Sequence, residues 1–474
     1  MAMYIINKEN RFFLVVIALL MMAGPGCKKF VQVDPPSTQI VAASVFNDNN
    51  AATAAMTAIY SQMQAESWNM SQISGLLADE LQSPSSAGDV YRPYTNAMTA
   101  YSTFGPWSRA YNYIFEANAI IEGLKKSTSI NASIQKQLTG EAEFIRAFWH
   151  FYLTNCYGDI PLVTTTDYRN NSLLTRTSRS QVYDQVIFDL TDAINLLNIN
   201  YVDASDTATS PYHIRPNKAA AEALLARVYL YASKYSEAEA TSAILLADTR
   251  YSLVQDLTQV FHMNSREAIW QLGIPTPVTY NTVDAYNFIL QAAPSPVTDI
   301  NCATISAWLL DSFEMGDNRQ KAWIGNITVG GTTYYYPFKY QNISTNITEY
   351  SMMLRLAEQY LIHAEALVRQ NKDLSQAISN INDIRQRAGL GGYAGPTNNA
   401  DSIMAAILHE RQVELFTEWG HRWYDLIRTG NINNVMSIVT PLKGGAAWKP
   451  EWALFPIPMS EILVDPKLTQ NEGY

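Results

Sequence analysis

"NKAAAEALLARVYLYASKYSEAEATSAILLA" (217–247) is the stretch whose reading decides the fold. Alanine, leucine and tyrosine recur in it at helical spacing, and Ala226, Tyr229 and Leu230 give the first half an apolar face. The pattern breaks over Ser233–Ser236 and resumes with Ala238, which opens the matching face of a second helix. A short polar joint between two such faces makes the helices antiparallel neighbours, with small residues where they cross.

Working outward, "LRLAEQYLIHAEALVRQNKDLSQAISNINDIRQRAGL" (354–390) repeats the arrangement, with Ala364 and Ala377 at the small positions. Both pairs resemble tetratricopeptide units, and they are separated in sequence rather than arranged in tandem. Further helices are predicted over 48–64, 107–124, 140–158 and 410–428, and over 180–197 with Ser180 as N-cap. The expected fold class is mainly α: tetratricopeptide-like helix pairs forming a scaffold, with a loop-rich lobe and minor β-hairpins. Two segments interrupt the scaffold, about 66–105 and 251–350. In the first, Ser, Pro, Gly and Asn break periodicity over 83–105 while Tyr91, Tyr94, Tyr101 and Phe104 are scattered through it. In the second, "PTPVTYNTVDAYNFILQAAPSP" (275–296) carries Tyr280, Tyr286 and Phe288, and "NITVGGTTYYYPFKY" (326–340) reads as a hairpin around Gly330–Gly331.

Composition excludes several function classes. The 474 residues carry a formal charge of −10, without any block of five or six basic residues, so nucleic acid is not an expected partner. Aromatic residues make up 11%, and the 28 tyrosines outnumber the 16 phenylalanines, which suits wet binding surfaces as well as helix packing. "HERQVE" (409–414) opens like a zinc-protease helix, but Val413 stands where a second His is required, so Glu410 and Glu414 are read as helix-surface or buried ion-pair partners. Neither a G-x-S-x-G elbow nor a phosphate-binding Gly-rich loop is present, and no enzyme is expected. No cofactor is indicated; Asp79 and Glu80 suit a structural calcium ion and plain capping equally. Cys156 and Cys302 are read as two buried thiols.

The N-terminus has its own pattern. Lys8 and Arg11 flank Glu9, "FFLVVIALLMMA" (12–23) is continuously apolar, and Gly24, Pro25 and Gly26 precede Cys27. Twelve apolar residues are too few to span a bilayer, which takes about 20, but suit a secretory signal. The segment resembles a bacterial lipoprotein signal, which makes 1–26 the removed peptide and Cys27 the lipidated residue of a chain of net charge −11. An ordinary exported protein with a free cysteine is the other reading.

Five stretches in order resemble the SusD/RagB family of outer-membrane lipoproteins: "CKKFVQVDPPSTQ" (27–39), "EFIRAFWHFYLTNCYGDIPLVTTT" (143–166), "RLAEQYLIHAEALVR" (355–369) with "INDIRQRAGL" (381–390), "ERQVELFTEWGHRWYDLIRTG" (410–430) and "LFPIPMSEILVDPKLTQNEGY" (454–474). The residues shared in these motifs are assigned to fold maintenance: Glu410/Glu414, Glu418/Arg422 and Asp425/Arg428 form a charged stripe beside Leu415, Phe416, Trp423 and Leu426.

The resemblance implies a single domain over 27–474, anchored by lipid at the outer membrane and exposed at the cell surface. It implies a non-catalytic protein that captures oligosaccharides and hands them to a SusC-type TonB-dependent transporter. Peptide capture by the same architecture, or a periplasm-facing helical-repeat adaptor for a protein partner, are the alternatives. Sugar rings present apolar faces to aromatic side chains and hydroxyls to polar ones. The expected ring platforms on the irregular segments are therefore Trp68, Tyr91, Tyr94, Tyr280 and Tyr286, with Arg92 and Asn281 as polar partners.

Overall fold

In a computed structural model of the chain, residues 45–84, 90–102, 104–274, 280–296 and 300–474 are described. The signal segment 1–26, Cys27 and the tether 28–44 lie outside them. Everything below concerns the unit Phe46–Tyr474.

The elements run α1 (Asn49–Gln62), α2 (Glu66–Leu77), β1 (Leu81–Gln82), α3 (Tyr91–Tyr94), α4 (Trp107–Lys126), α5 (Ala132–Tyr157), β2 (Ile160–Pro161), α6 (Tyr168–Asn171), β3 (Arg176–Thr177), α7 (Arg179–Leu196), α8 (Lys218–Tyr231) and α9 (Tyr235–Ala247). They continue with β4 (Ala268–Leu272), α10 (Val283–Phe288), β5 (Thr304–Ile305), α11 (Ala307–Ser312), α12 (Asn318–Trp323), β6 (Ile324–Val329), β7 (Thr332–Pro337) and β8 (Ser351–Arg355). The C-terminal third holds α13 (Leu356–Arg369), α14 (Leu374–Arg387), α15 (Ala400–Leu415), α16 (His421–Arg428), α17 (Ile432–Leu442) and α18 (Met459–Val464).

The protein is mainly helical, as the periodicity requires. Each long helix packs on the next: α4 on α5, α5 on α7, α7 on α8, α8 on α9. The two sequence-separated pairs meet in space, because α9 packs directly against α13, which pairs with α14. Ala226, Ala238, Ala364 and Ala377 are all fully buried, so the backbones approach closely where no larger side chain would fit. Helix α8 differs from the one-faced helix expected: it is buried on nearly all sides. Even Arg227 lies inside, donating to Glu358 Oε1 and Oε2 at 2.7 and 2.6 Å and to the Tyr152 hydroxyl at 2.9 Å. Helix α7 is capped by Ser178, which accepts from Gln181 N, two residues before the serine expected to cap it.

All four β-ladders are short antiparallel pairs: β1–β5, β2–β3, β4–β8 and β6–β7. The predicted hairpin is β6–β7. Gly330 (φ 59°) and Gly331 (φ 83°) supply the two left-handed residues that a tight turn between twisted strands demands. A large apolar cluster fills the helical scaffold, and a second, around Leu257, Phe261, Trp323 and Phe416, lies under the 251–350 lobe.

Two sequence expectations are corrected. Residues 66–77 are a helix, α2, buried along most of its length, not the start of a ligand loop. The 410–428 stretch is two helices: α15 ends at Leu415 and α16 begins at His421, with Thr417 (φ 50°), Trp419 (φ 49°) and Gly420 (φ 76°) in left-handed conformations between them. The turn drives Glu418 inward. It accepts from Arg355 Nε at 2.8 Å and from Lys339 Nζ at 2.5 Å, not from Arg422, which is bound to Asp79 at 2.6 Å. Around it, Arg355 Nη1 also reaches Glu267 at 2.8 Å and Glu414 at 2.6 Å, and Arg319 Nη1 bridges Glu410 and Glu414 at 2.9 and 3.1 Å. Arg387 closes the network onto Glu267 and Glu414. The shared-motif carboxylates Glu410, Glu414 and Glu418 are thus internal ties, as read from sequence.

Candidate functional site

Tyr280 and Tyr286 stack with ring centroids 4.8 Å apart and planes 27° from parallel. Tyr286 points outward from α10 and keeps 46% of its surface exposed. The helix beneath is short but strongly pinned. Thr282 caps it by accepting from Ala285 N at 3.0 Å. Asn301 Nδ2 donates to the carbonyls of Tyr286, Asn287 and Ile289 at its far end, at 3.2, 3.2 and 3.0 Å. Ala285 and Phe288 join the second apolar cluster. Inside, Asp284 accepts from the Ser67 hydroxyl of α2 at 3.0 Å and from the Ser351 hydroxyl of β8 at 3.3 Å. Burial pushes its carboxyl up to about 7. A ring pair fixed in this way presents an apolar face whose ordering cost is already met in folding.

Asn281 does not serve as the polar partner expected of it. It is 0% exposed. Its Nδ2 donates to Ser344 O and Asn346 O at 2.6 and 2.7 Å, and its Oδ1 accepts from Thr348 N and Glu349 N at 2.7 and 3.1 Å. It holds the 344–349 turn beside the platform. Glu349 continues that support, accepting from Gln341 N and Asn342 N at 2.7 and 3.1 Å, with its carboxyl pushed up to about 7 by burial.

The second predicted pair, Tyr91 and Tyr94, forms α3, with centroids 6.4 Å apart and planes 52° apart. Arg92 between them is exposed. Tyr94 is engaged from inside: the Lys443 ammonium lies 5.4 Å from its ring centroid. Lys443 is buried and donates to Leu76 O, Leu77 O and Ala78 O at 2.7, 2.9 and 2.6 Å, capping the C-terminal end of α2. Burial lowers its ammonium to about 7. Trp68 sits on α2, not on a loop, half-buried against the second cluster. The two ring pairs therefore border opposite ends of α2: Asp284 is bound at Ser67, and Lys443 sits at residues 76–78. Twelve residues of helix place those ends roughly 18 Å apart. No ring contact among the described residues joins one pair to the other.

Asp79 and Glu80 do not offer a cation site. Asp79 is held by Arg422 at 2.8 and 2.6 Å, and Glu80, buried and pushed up to about 8, accepts from Thr417 N at 3.3 Å. Among the described residues the cluster with metal-type donors is Glu314, His409 and Glu410. Arg385 Nη1 already bridges its two carboxylates at 2.5 and 2.6 Å, so a guanidinium supplies the positive charge there. Cys156 and Cys302 are both buried, as expected; the Cys156 thiol lies 3.0 Å from the Tyr424 hydroxyl, and Cys302 Sγ accepts from Gln72 Nε2 at 3.1 Å. Sequence reasoning missed two exposed rings, Tyr335 of the lobe and Tyr212 of the connection between α7 and α8. Period-two alternation in "TTYYYP" (332–337) was the available signal for Tyr335.

Known proteins share this architecture. Residues 318–474 match the family model described as "SusD family", and residues 29–230 match one described as "Starch-binding associating with outer membrane". SusD-like protein P38 of Formosa agariphila is 24% identical over 98% of this chain and 98% of its own length. A SusD superfamily protein from Bacteroides vulgatus superposes with a TM-score of 0.77 at 24% identity, covering 90% of this chain and all of that one. Surface glycan-binding protein A from Bacteroides uniformis does so at 0.74 and 20% identity, over 90% and 99% of the two chains. No helix among the described residues is long and apolar enough to cross a membrane. With two of its models matched in order along the chain and a relative that aligns at 24% identity over 98% of both chains, this protein belongs to the SusD family.

Proposed function

We propose that this protein is a non-catalytic, cell-surface lipoprotein, anchored through Cys27 at the outer membrane. It captures oligosaccharides and hands them to a SusC-type TonB-dependent transporter. The observation that carries the reading is the stacked Tyr280–Tyr286 pair, in which the exposed Tyr286 stands on α10 and the half-buried Tyr280 just before its cap. A pyranose lays its C–H face on such a ring, and a pinned platform pays little further entropy on binding. The carboxylates of Asp284, on the same helix, and Glu349, in the turn held by Asn281, are taken up by hydroxyl and backbone donors, which supports binding over acid–base chemistry. The family description naming starch binding and outer-membrane association, and the surface glycan-binding relative, agree with this role.

The test is isothermal titration of the mature chain carrying Cys27→Ser against plant, host and microbial oligosaccharides, with mixed peptides alongside. Saturable binding of one glycan class supports the reading. Binding of peptides alone overturns it in favour of peptide capture.

A further inference from the structure

The outer face of the β6–β7 hairpin carries groups that the fold leaves unused. Pairing places Asn326 opposite Tyr335 and Thr328 opposite Thr333. Alternation along β7 turns Tyr334 and Tyr336 toward the second cluster, where the Tyr336 ring lies over Gly325 so closely that an added Cβ would meet it at 2.3 Å. Tyr335 faces the other way and is 39% exposed. On that face the Thr328 and Thr333 hydroxyls bond each other at 3.0 Å. Helices α11 and α12 supply a second wall, and the cleft between has a volume of about 510 Å³, lined by Leu310, Asp311, Gln320, Lys321, Asn326 and Tyr335 with Ile324 at its base. Sites for small organic ligands span about 300–1,000 Å³.

The polar groups of this cleft contrast with those around Tyr286. Asn281, Asp284, Asn301 and Glu349 are all consumed by internal bonds. Among the described residues, Asp311, Lys321, Asn326 and the Tyr335 hydroxyl have no hydrogen-bond or ion-pair partner, and no aromatic ring packs on Tyr335. Gln320 uses only its amide nitrogen, donating to Leu310 O at 3.3 Å. An exposed ring flanked by an amide, a carboxylate and an ammonium matches the two needs of a pyranose, an apolar face to stack and vicinal hydroxyls to hydrogen-bond.

We infer that the cleft between the β6–β7 hairpin and helices α11–α12 is a second carbohydrate subsite, in which Tyr335 stacks on a sugar ring and Asn326, Asp311 and Lys321 bind its hydroxyls. The inference rests on the glycan reading above and extends it from one platform to two. A glycan long enough to engage both gains by effective concentration rather than by stronger individual contacts.

The test is titration of the mature Cys27→Ser chain, and of its Tyr286→Ala, Tyr335→Ala and Asn326→Ala variants, with the polysaccharide from which the best-bound oligosaccharide derives. Both hairpin residues are exposed, and unchanged melting temperatures confirm folding. The inference expects Tyr335→Ala and Asn326→Ala each to weaken binding three- to tenfold. Wild-type affinity in both hairpin variants alongside loss in Tyr286→Ala overturns the subsite and leaves the single-platform reading standing. Binding of no glycan by the wild-type chain overturns both.

Discussion

Replacing Arg355 by Met should destabilise the protein out of proportion to any surface change. Arg355 is 1% exposed and binds three carboxylates at once, through Nε to Glu418, Nη1 to Glu267 and Glu414, and Nη2 to Glu418 and the Glu414 carbonyl. Methionine fills much of the volume but leaves those carboxylates short of a cation in a site without water access. Removing one partner of a buried pair costs about 3–5 kcal/mol, because the remaining charge stays desolvated. The unit Phe46–Tyr474 has roughly 430 residues, and at about 2.1 cal/mol/K per residue its unfolding entropy is near 0.9 kcal/mol/K. The expected fall in melting temperature is therefore about 3–6 °C, read by differential scanning calorimetry at pH 7. The fall should persist in 1 M salt, since ions do not screen a buried pair as they do a surface one. Arg169→Met, which breaks only the surface pair with Asp167, is the control and should leave the melting temperature where it was. A loss below about 1 °C in Arg355→Met would refute the view that the motif carboxylates maintain the fold.

Two other outcomes follow from buried polar groups. Asp284, pushed up to about 7 against an unfolded value near 3.9, keeps its proton in the folded state across a window where the unfolded chain has lost it. The folded state then binds more protons, so its stability from this group falls as pH rises from about 4 to about 7 and is level above. Asp284→Asn removes that slope: its melting temperature should gain on wild type between pH 5 and pH 8, and parallel curves would contradict the assignment. At the C-terminus, Asn471 Nδ2 donates to Tyr157 O and Phe455 O at 3.0 and 2.8 Å, while its Oδ1 accepts from Arg176 Nη2 at 2.5 Å. Asn471→Ala strands these groups at a cost of about 1–3 kcal/mol, a drop of roughly 1–3 °C, whereas substitution of the exposed Glu472 should cost nothing measurable.

The helical scaffold was legible because burial on one stripe imposes a 3.6-residue period, and small residues at Ala226, Ala238, Ala364 and Ala377 mark close helix approach. The break at 416–420 was not legible. Charged and apolar residues keep helical spacing straight through it with Gly420 as the one local break, and the left-handed turn is held by tertiary contacts: Arg355 and Lys339 on Glu418, Glu80 on Thr417 N and Ser71 on Trp419 N. At the candidate site, ring content pointed to two segments, but which way a side chain points depends on contacts remote in sequence. Tyr286 faces out because Asp284, two residues earlier, is bound by Ser67 and Ser351. Asn281 turns in because the 344–349 turn offers it four partners. Tyr94 became an internal contact through Lys443, a residue with no local signal in sequence.

The central claim is that Tyr286, on a pinned helix and stacked with Tyr280, holds the sugar. The most direct measurement is the dissociation constant of the best-bound oligosaccharide for wild type and Tyr286→Ala, with the melting temperature of each. The account predicts at least about tenfold weaker binding, equivalent to about 1.4 kcal/mol, at an unchanged melting temperature. Equal affinity in the two proteins would contradict it.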